Sequence, residues 1–332
     1  MKLKNTLFIT IFICLFLFNS CTKKENISFN NRDVTLSGTL YLPKGKGPFP
    51  AVVFVHGSGA ETRENSSYSA KWLTSIGYAA LVYDKRGTGK SGGNESEVNS
   101  FNFENLSNDV LAGVNFLTKH EKIDKSKIGI HATSQGGWVA PLAASKTNLI
   151  SFMIIKSASV STVSEDRIFE RSARLAREKF SKSEIAEAQE MQLVEAKTVS
   201  GDKTPDKFTL LFEKNKDKPW FARVYGGKSP FAKSLVKYRK WYATVAGFDP
   251  VIYLKQIDTP IFWMFGDSTL DKLGPVSKSI ETLEKLKKEG KQYAIFSYKG
   301  EGHNLKEKKY ELDLYKWMKE TNNYSDFKFK KH

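Results

Sequence analysis

The chain has 332 residues and carries 52 Lys and Arg against 36 Asp and Glu, a net charge of +16. With 40% hydrophobic and 27% charged residues it can bury a sizeable core, which excludes a disordered or fibrous protein. No period of about 20 to 50 residues recurs, so solenoids and propellers are excluded too.

The first twenty residues stand apart from the rest. "MKLKN" is basic, and "TLFITIFICLFLF" is an apolar run of 13 residues, short of the roughly 20 needed to span a bilayer. Such a run fits the apolar region of a secretory signal peptide. "FNSC" and the polar "TKKEN" follow, and this stretch resembles the lipobox of bacterial lipoproteins. That resemblance implies a signal peptide over residues 1–20, Cys21 as the lipid-bearing residue and a tether over residues 21–26. Phe18 departs from the usual Leu. Cys14 lies within the apolar run, so Cys21 is the one cysteine left after cleavage and no internal disulfide is expected. The implied location is the bacterial cell envelope, lipid-anchored and either periplasmic or surface-exposed. A plain signal peptide or an uncleaved anchor is the alternative.

The remaining sequence reads as strands alternating with helices. "ISFNNRDVTLSGTLYLP" carries two strand-like segments with a turn around Asn30 to Asp33. "AVVFVHG" is a continuous apolar run of the kind found in strands buried on both faces of a parallel sheet. "YSAKWLTSIG" is an amphipathic helix ending at Gly77. The strand "YAALVYD", the helix "NFENLSNDVLAGVNFLTKH", the strand "KIGIHAT", the helix "QGGWVAPLAAS" and the strand "SFMIIKSAS" follow. From about residue 165 to 248 the chain is mostly helical and charged. The strand pattern then resumes at "TPIFWMFGD", with the helix "PVSKSIETLEKLKKEG", the strand "QYAIFSYKG" and the helix "LKEKKYELDLYKWMKE". This order predicts an α/β fold: a mostly parallel central sheet flanked by helices, with a helical cap inserted between two late strands.

Four segments carry chemistry. "HATSQGGW" places Ser134 between a strand and a helix, as in the G-x-S-x-G turn, with Ala132 in place of the first glycine. A serine hydroxyl needs a nearby base to become a nucleophile and N–H donors aimed at the developing oxyanion. "FVHGSG" ends the strand before the first helix, so the backbone N–H groups of Ser58 and Gln135 are the expected oxyanion donors. "GDSTLDKLGP" and "GEGHNL" follow the last two strands and give the chain order Ser, Asp, His.

With "LPKGKGPFPAVVFVHGSG" and "YDKRGTGKS", these motifs resemble the α/β-hydrolase superfamily over nearly the whole chain from about residue 27 to 332. The similarity is nearest to the esterase, serine aminopeptidase and prolyl oligopeptidase-like branches. The resemblance implies Ser134 as nucleophile, His303 as general base and then acid, and an aspartate that orients His303. Asp271, four residues before Pro275, is preferred for that role, and Asp267, directly after Gly266, is the rival.

Several features remain open or bland. His56 is expected to brace the oxyanion loop and His131 to pack within its strand; His120 and His332 look exposed. "RGTGKS" lacks the glycine a phosphate loop requires, since Asp84 stands there. No metal-binding spacing occurs, and no cofactor is expected. The scattered lysines come with no nucleic-acid-binding signature, so no nucleic-acid partner is expected. Trp220, Phe221, Tyr225, Phe231, Tyr238, Trp241 and Tyr242 in the inserted segment either line a pocket or pack the cap. Glu170, Glu187 and Glu195 are the cap carboxylates that a peptidase could use to hold a substrate amine.

Three readings follow. The first is a serine hydrolase of carboxylic esters working through an acyl-enzyme. The second is a serine peptidase. The third, from another class, is a non-catalytic surface lipoprotein that binds ligands.

Overall fold

A computed structural model describes residues 23–95, 102–199, 205–225, 240 and 242–322. Cys21, Phe231, Tyr238, Trp241 and His332 lie outside the described residues.

Eight strands form one sheet: β1 (Lys23–Asn31), β2 (Val34–Leu42), β3 (Phe49–Val55), β4 (Ala79–Tyr83), β5 (Ile123–Thr133), β6 (Ile150–Lys156), β7 (Ile261–Gly266) and β8 (Tyr293–Tyr298). Their spatial order is β1-β2-β4-β3-β5-β6-β7-β8. The pairs β1–β2 and β2–β4 are antiparallel and all others are parallel. Every residue of β3, β4 and β7 is buried, which is why these strands read as unbroken apolar runs.

Alternation along each strand feeds two separate cores. In β3, Val53 and Val55 join the core under α2 (Phe103–Thr118) and α3 (Gly136–Ala144). Val52 and Phe54 point the other way, towards α1 (Ser67–Ser75) and the C-terminal helix at Glu307–Asn322. The expected helix end at Gly77 is seen: α1 stops at Ser75 and Gly77 takes φ +97°.

Between β6 and β7 the chain leaves the sheet to form α4 (Val163–Arg177), α5 (Lys182–Val199), α6 (Pro205–Asn215), α7 (Pro219–Tyr225) and α8 (Pro250–Gln256). α9 (Val276–Lys288) follows β7, and α10 is the helix at Glu307–Asn322. Helices α4 to α7 pack around their own cluster of Leu175, Met191, Phe208, Phe212, Trp220 and Phe221. Trp220 and Phe221 are thus core residues of the cap itself, whereas Tyr242 packs into the core under the sheet.

Three sequence expectations need correction. Residues 23–26, read as tether, are the first half of β1 and pair with Leu42 to Thr39. Polar edge strands pair through the backbone, so "KKEN" has no apolar alternation to betray it. β5 begins at Ile123, four residues before "KIGIHAT", because a register irregularity lets Ile123 pair with Phe49 ahead of the regular ladder. His120 is half-buried rather than exposed, with Nε2 3.2 Å from Glu25 Oε2.

Candidate active site

The end of β5 turns into α3 through Ser134, which is held at φ +51°. A non-glycine residue in this region is strained by roughly 1–2 kcal/mol, so the surroundings must enforce it. Ser134 N–H donates to Lys156 O at 2.9 Å, and Gly137 N–H donates back to Ser134 O at 2.8 Å. The turn is tight because its flanking residues lack bulk. A Cβ on Gly136 would lie 2.9 Å from Val55 O and 3.1 Å from His56 O, and one on Gly137 would overlap Ala158. Ala132 has room in place of glycine because Gly136 presents no side chain: a Cβ added there would crowd the Ala132 methyl at 3.2 Å.

His303 sits in the loop after β8 and reaches both partners. Its Nε2 lies 3.0 Å from Ser134 Oγ, and its Nδ1 lies 3.0 and 3.1 Å from the two Asp271 carboxylate oxygens. Asp271 is buried, 2% exposed, while Ser134 and His303 are half-buried at the sheet's edge. The structure brings Asp271, not Asp267, to the imidazole. Asp267 instead accepts from Thr269 N–H at 2.8 Å and Thr269 Oγ1 at 2.7 Å, and from Gly300 N–H at 3.3 Å. These bonds, the Thr269 hydroxyl first, hold its carboxyl below the usual range. Asp271 N–H donates to Asp267 O at 2.8 Å, so Asp267 builds the turn that presents Asp271.

The expected oxyanion donors lie in the loop after β3 and at the start of α3. Ser58 is exposed and Gln135 is buried at the N-cap of α3. Among the described residues neither backbone N–H is spent on a hydrogen bond, which leaves both for a ligand. His56 braces this loop, with Nε2 2.6 Å from Tyr83 O, and burial pushes its pKa down to about 4, so the ring is neutral near pH 7. His131 stacks on Phe54 within the sheet, and burial takes it down to about 3.

The sequence points to glutamates in the cap, and the structure adds an aspartate. Asp166, in the first turn of α4, accepts a short hydrogen bond from Ser159 Oγ and feels the charge of His303. Burial raises its pKa to about 7, against the opposing pull of Ser159. Glu187 is occupied by Lys218 Nζ at 2.6 Å, Glu195 is buried, and Glu170 lies one turn along α4 from Asp166. Among the described residues no group of three or more His, Cys, Asp or Glu could hold a metal ion.

An eight-stranded sheet in this order, with a strained serine after β5, an aspartate after β7 and a histidine after β8, is the α/β-hydrolase fold. Residues 46–307 match the family described as serine aminopeptidase, S33, and the chain belongs to that family. It is 29% identical over 129 residues to the quorum-quenching protein AidA of Acinetobacter baumannii, covering 39% of this chain and 42% of the relative. It is 42% identical over 69 residues to esterase EstD of Thermotoga maritima, covering 18% and 17%. The matches thus span less than half the length of these curated relatives. Among solved structures, an esterase of Pyrococcus furiosus superimposes with a TM-score of 0.58 at 17% identity, covering 91% of both chains. The acylaminoacyl peptidase of Pyrococcus horikoshii does so with 0.56 at 19%, covering 94% of this chain and 43% of that one. At such identities the likeness shows the fold alone.

Proposed function

We propose that the protein cleaves carboxylic esters through an acyl-enzyme on Ser134. The observation that carries this reading is the continuous chain of contacts of about 3 Å from Ser134 through His303 to Asp271. His303 Nε2 removes the hydroxyl proton as Ser134 Oγ attacks the carbonyl carbon, and the N–H groups of Ser58 and Gln135 receive the oxyanion. The imidazolium then protonates the leaving alkoxide. Water, deprotonated by the same nitrogen, releases the acid. Asp271 holds the ring in the tautomer with its free lone pair towards Ser134. The test is a panel of p-nitrophenyl acyl esters and aminoacyl p-nitroanilides on the purified protein. Turnover of esters is expected; no turnover of any member would overturn the reading.

A second reading, peptide or aminoacyl amide cleavage, draws on Asp166. Its carboxylate lies close enough to His303 to feel its charge, on the cap side of the site, where a substrate amine could pair with it. Asp166→Asn should then lower turnover of aminoacyl anilides at least tenfold while leaving acyl esters near wild type. Equal effects on both substrate classes would remove the peptidase reading.

We further propose that Cys21 carries lipid and holds the enzyme at the bacterial cell envelope. The apolar run, the small Ser20 and the lone mature cysteine support it. Since β1 begins at Lys23, such an anchor would keep the sheet's β1 edge close to the membrane. Cys21→Ser should move the protein from the membrane to the soluble or unprocessed fraction. A variant that is processed and stays membrane-bound would exclude the anchor.

A further inference from the structure

The segment "DKRGTGKS" after β4 is not a phosphate loop, and its contacts show what it builds. Asp84 takes Arg63 Nε and Nη2 at 2.9 and 2.8 Å and Arg63 N–H at 2.9 Å. Burial alone would raise Asp84, but these bonds and one from Lys90 N–H outweigh it and bring it down to about 2. Gly89, at φ +55°, passes so close to Asp84 that a Cβ would sit 2.5 Å from Oδ2. Arg86 makes a buried two-point pair with Asp109 at 2.7 Å.

Lys85, between these pairs, turns inward. It is 1% exposed. Its backbone N–H donates to Glu61 O at 3.0 Å. Its ammonium donates to Gly57 O at 2.8 Å, to Gly59 O at 3.3 Å and to Gln135 Oε1 at 2.8 Å. Two of these acceptors flank Ser58, and the third belongs to the residue whose N–H is the other oxyanion donor. A lysine buried this deeply is costly to desolvate, and its three protons all point at the two halves of one site.

We propose that Lys85 is a positioning residue, whose ammonium fixes the Gly57–Gly59 carbonyls and the Gln135 side chain so that the Ser58 and Gln135 N–H groups converge on the developing oxyanion. The assignment rests on the proposed acyl transfer at Ser134. The Gly57 carbonyl shares its peptide unit with the Ser58 N–H, so anchoring it sets the orientation of that N–H, and the Gly59 carbonyl, two peptide units on, ties down the far side of the same loop. Without its third proton the amine serves at most two of the three acceptors, and more weakly, so the loop loosens.

The groups facing the ammonium bear on its titration. Glu61 and His56 face it from the oxyanion loop, Asp84 precedes it in its own segment, and Lys156 at the end of β6 lies across Glu61. His56 is already neutral near pH 7 and Asp84 already ionised, so neither changes charge between pH 7 and 10. Burial lowers Lys85 from 10.5 to about 8, with Glu61 opposing. Between about pH 8 and 10.5 the folded protein has therefore released a proton that the unfolded chain retains. Stability rises with pH across that window, while the clamp is weakened. Activity and stability are predicted to move in opposite directions.

The experiment measures kcat and KM for p-nitrophenyl acetate per fluorophosphonate-titrated site, from pH 6 to 10, for wild type and Lys85→Met, with melting temperature alongside. Wild-type kcat should fall above about pH 8 with no drop in melting temperature below pH 10. In Lys85→Met, kcat should be about 10²-fold lower, of the order of losing one oxyanion donor, with KM within about threefold and the alkaline fall absent. A Lys85→Met kcat per site equal to wild type overturns the proposal. If Lys85→Met does not fold, Lys85→Gln is measured in its place, and a Lys85→Gln kcat per site equal to wild type overturns the proposal. A wild type that neither labels nor turns over ester would instead overturn the acyl-transfer reading.

Discussion

Ser134→Ala should abolish covalent labelling by a fluorophosphonate and reduce ester turnover on the order of 10⁶-fold, the loss typical of removing a triad nucleophile. The hydroxyl forms the new bond in the acyl-enzyme, so no neighbour can replace it. The side-chain oxygen has one described hydrogen bond, to His303 Nε2, at a half-buried position. Its removal therefore leaves the core intact, and the melting temperature should stay within a few degrees of wild type. The strain at φ +51° persists with alanine, which has the same Cβ. Ser134→Gly, in contrast, should be both inactive and more stable by about 1 kcal/mol, because glycine adopts this conformation freely. Intact-protein mass after probe treatment and a thermal melt measure the two effects. An alanine variant that labels at the wild-type rate would end the assignment of Ser134.

Much of this was legible in the sequence because the signals are local. β3, β4 and β7 are buried on both faces, so their apolar runs announce them without knowledge of their neighbours. The Ser134 turn was legible for a similar reason: small residues are required on both sides of it, and Ala132, Gly136 and Gly137 stand next to the serine. What escaped depends on partners distant in the chain. The first half of β1 is held by backbone pairing to β2 and offers only polar side chains. Lys85 looks like a surface lysine in a charged loop, and its burial needs acceptors from residues 57, 59 and 135 at once. The cap aromatics were undecidable because a helix face that fills a cap core and one that lines a pocket share the same spacing. Asp166 was overlooked because its environment comes from Ser159 and from His303, which follows it by more than a hundred residues.

The two aspartates after β7 give the sharpest test of site geometry, because they lie four residues apart and differ in what they hold. Asp271→Asn should lower turnover about 10⁴-fold, as loss of the orienting carboxylate does in serine proteases. The amide fits the same space, but its NH₂ cannot accept from His303 Nδ1–H. It favours the tautomer with the proton on Nε2, which then has no lone pair for the Ser134 hydroxyl. KM should change little, since Asp271 is 2% exposed and lies behind His303, away from the substrate. Asp267→Asn should cost less than about tenfold. Its carbonyl oxygen can still accept from Thr269 N–H and keep the turn that presents Asp271. The side-chain bonds to the Thr269 hydroxyl and to Gly300 N–H weaken without the charge, so a modest fall in melting temperature is expected, with the imidazole still oriented. The measurement is kcat and KM on one p-nitrophenyl ester for both variants, normalised to folded protein by circular dichroism. If Asp267→Asn shows the 10⁴-fold loss and Asp271→Asn the small one, the orienting role passes to Asp267 and the hydrogen-bonded pair at His303 Nδ1 is not the one that works in turnover.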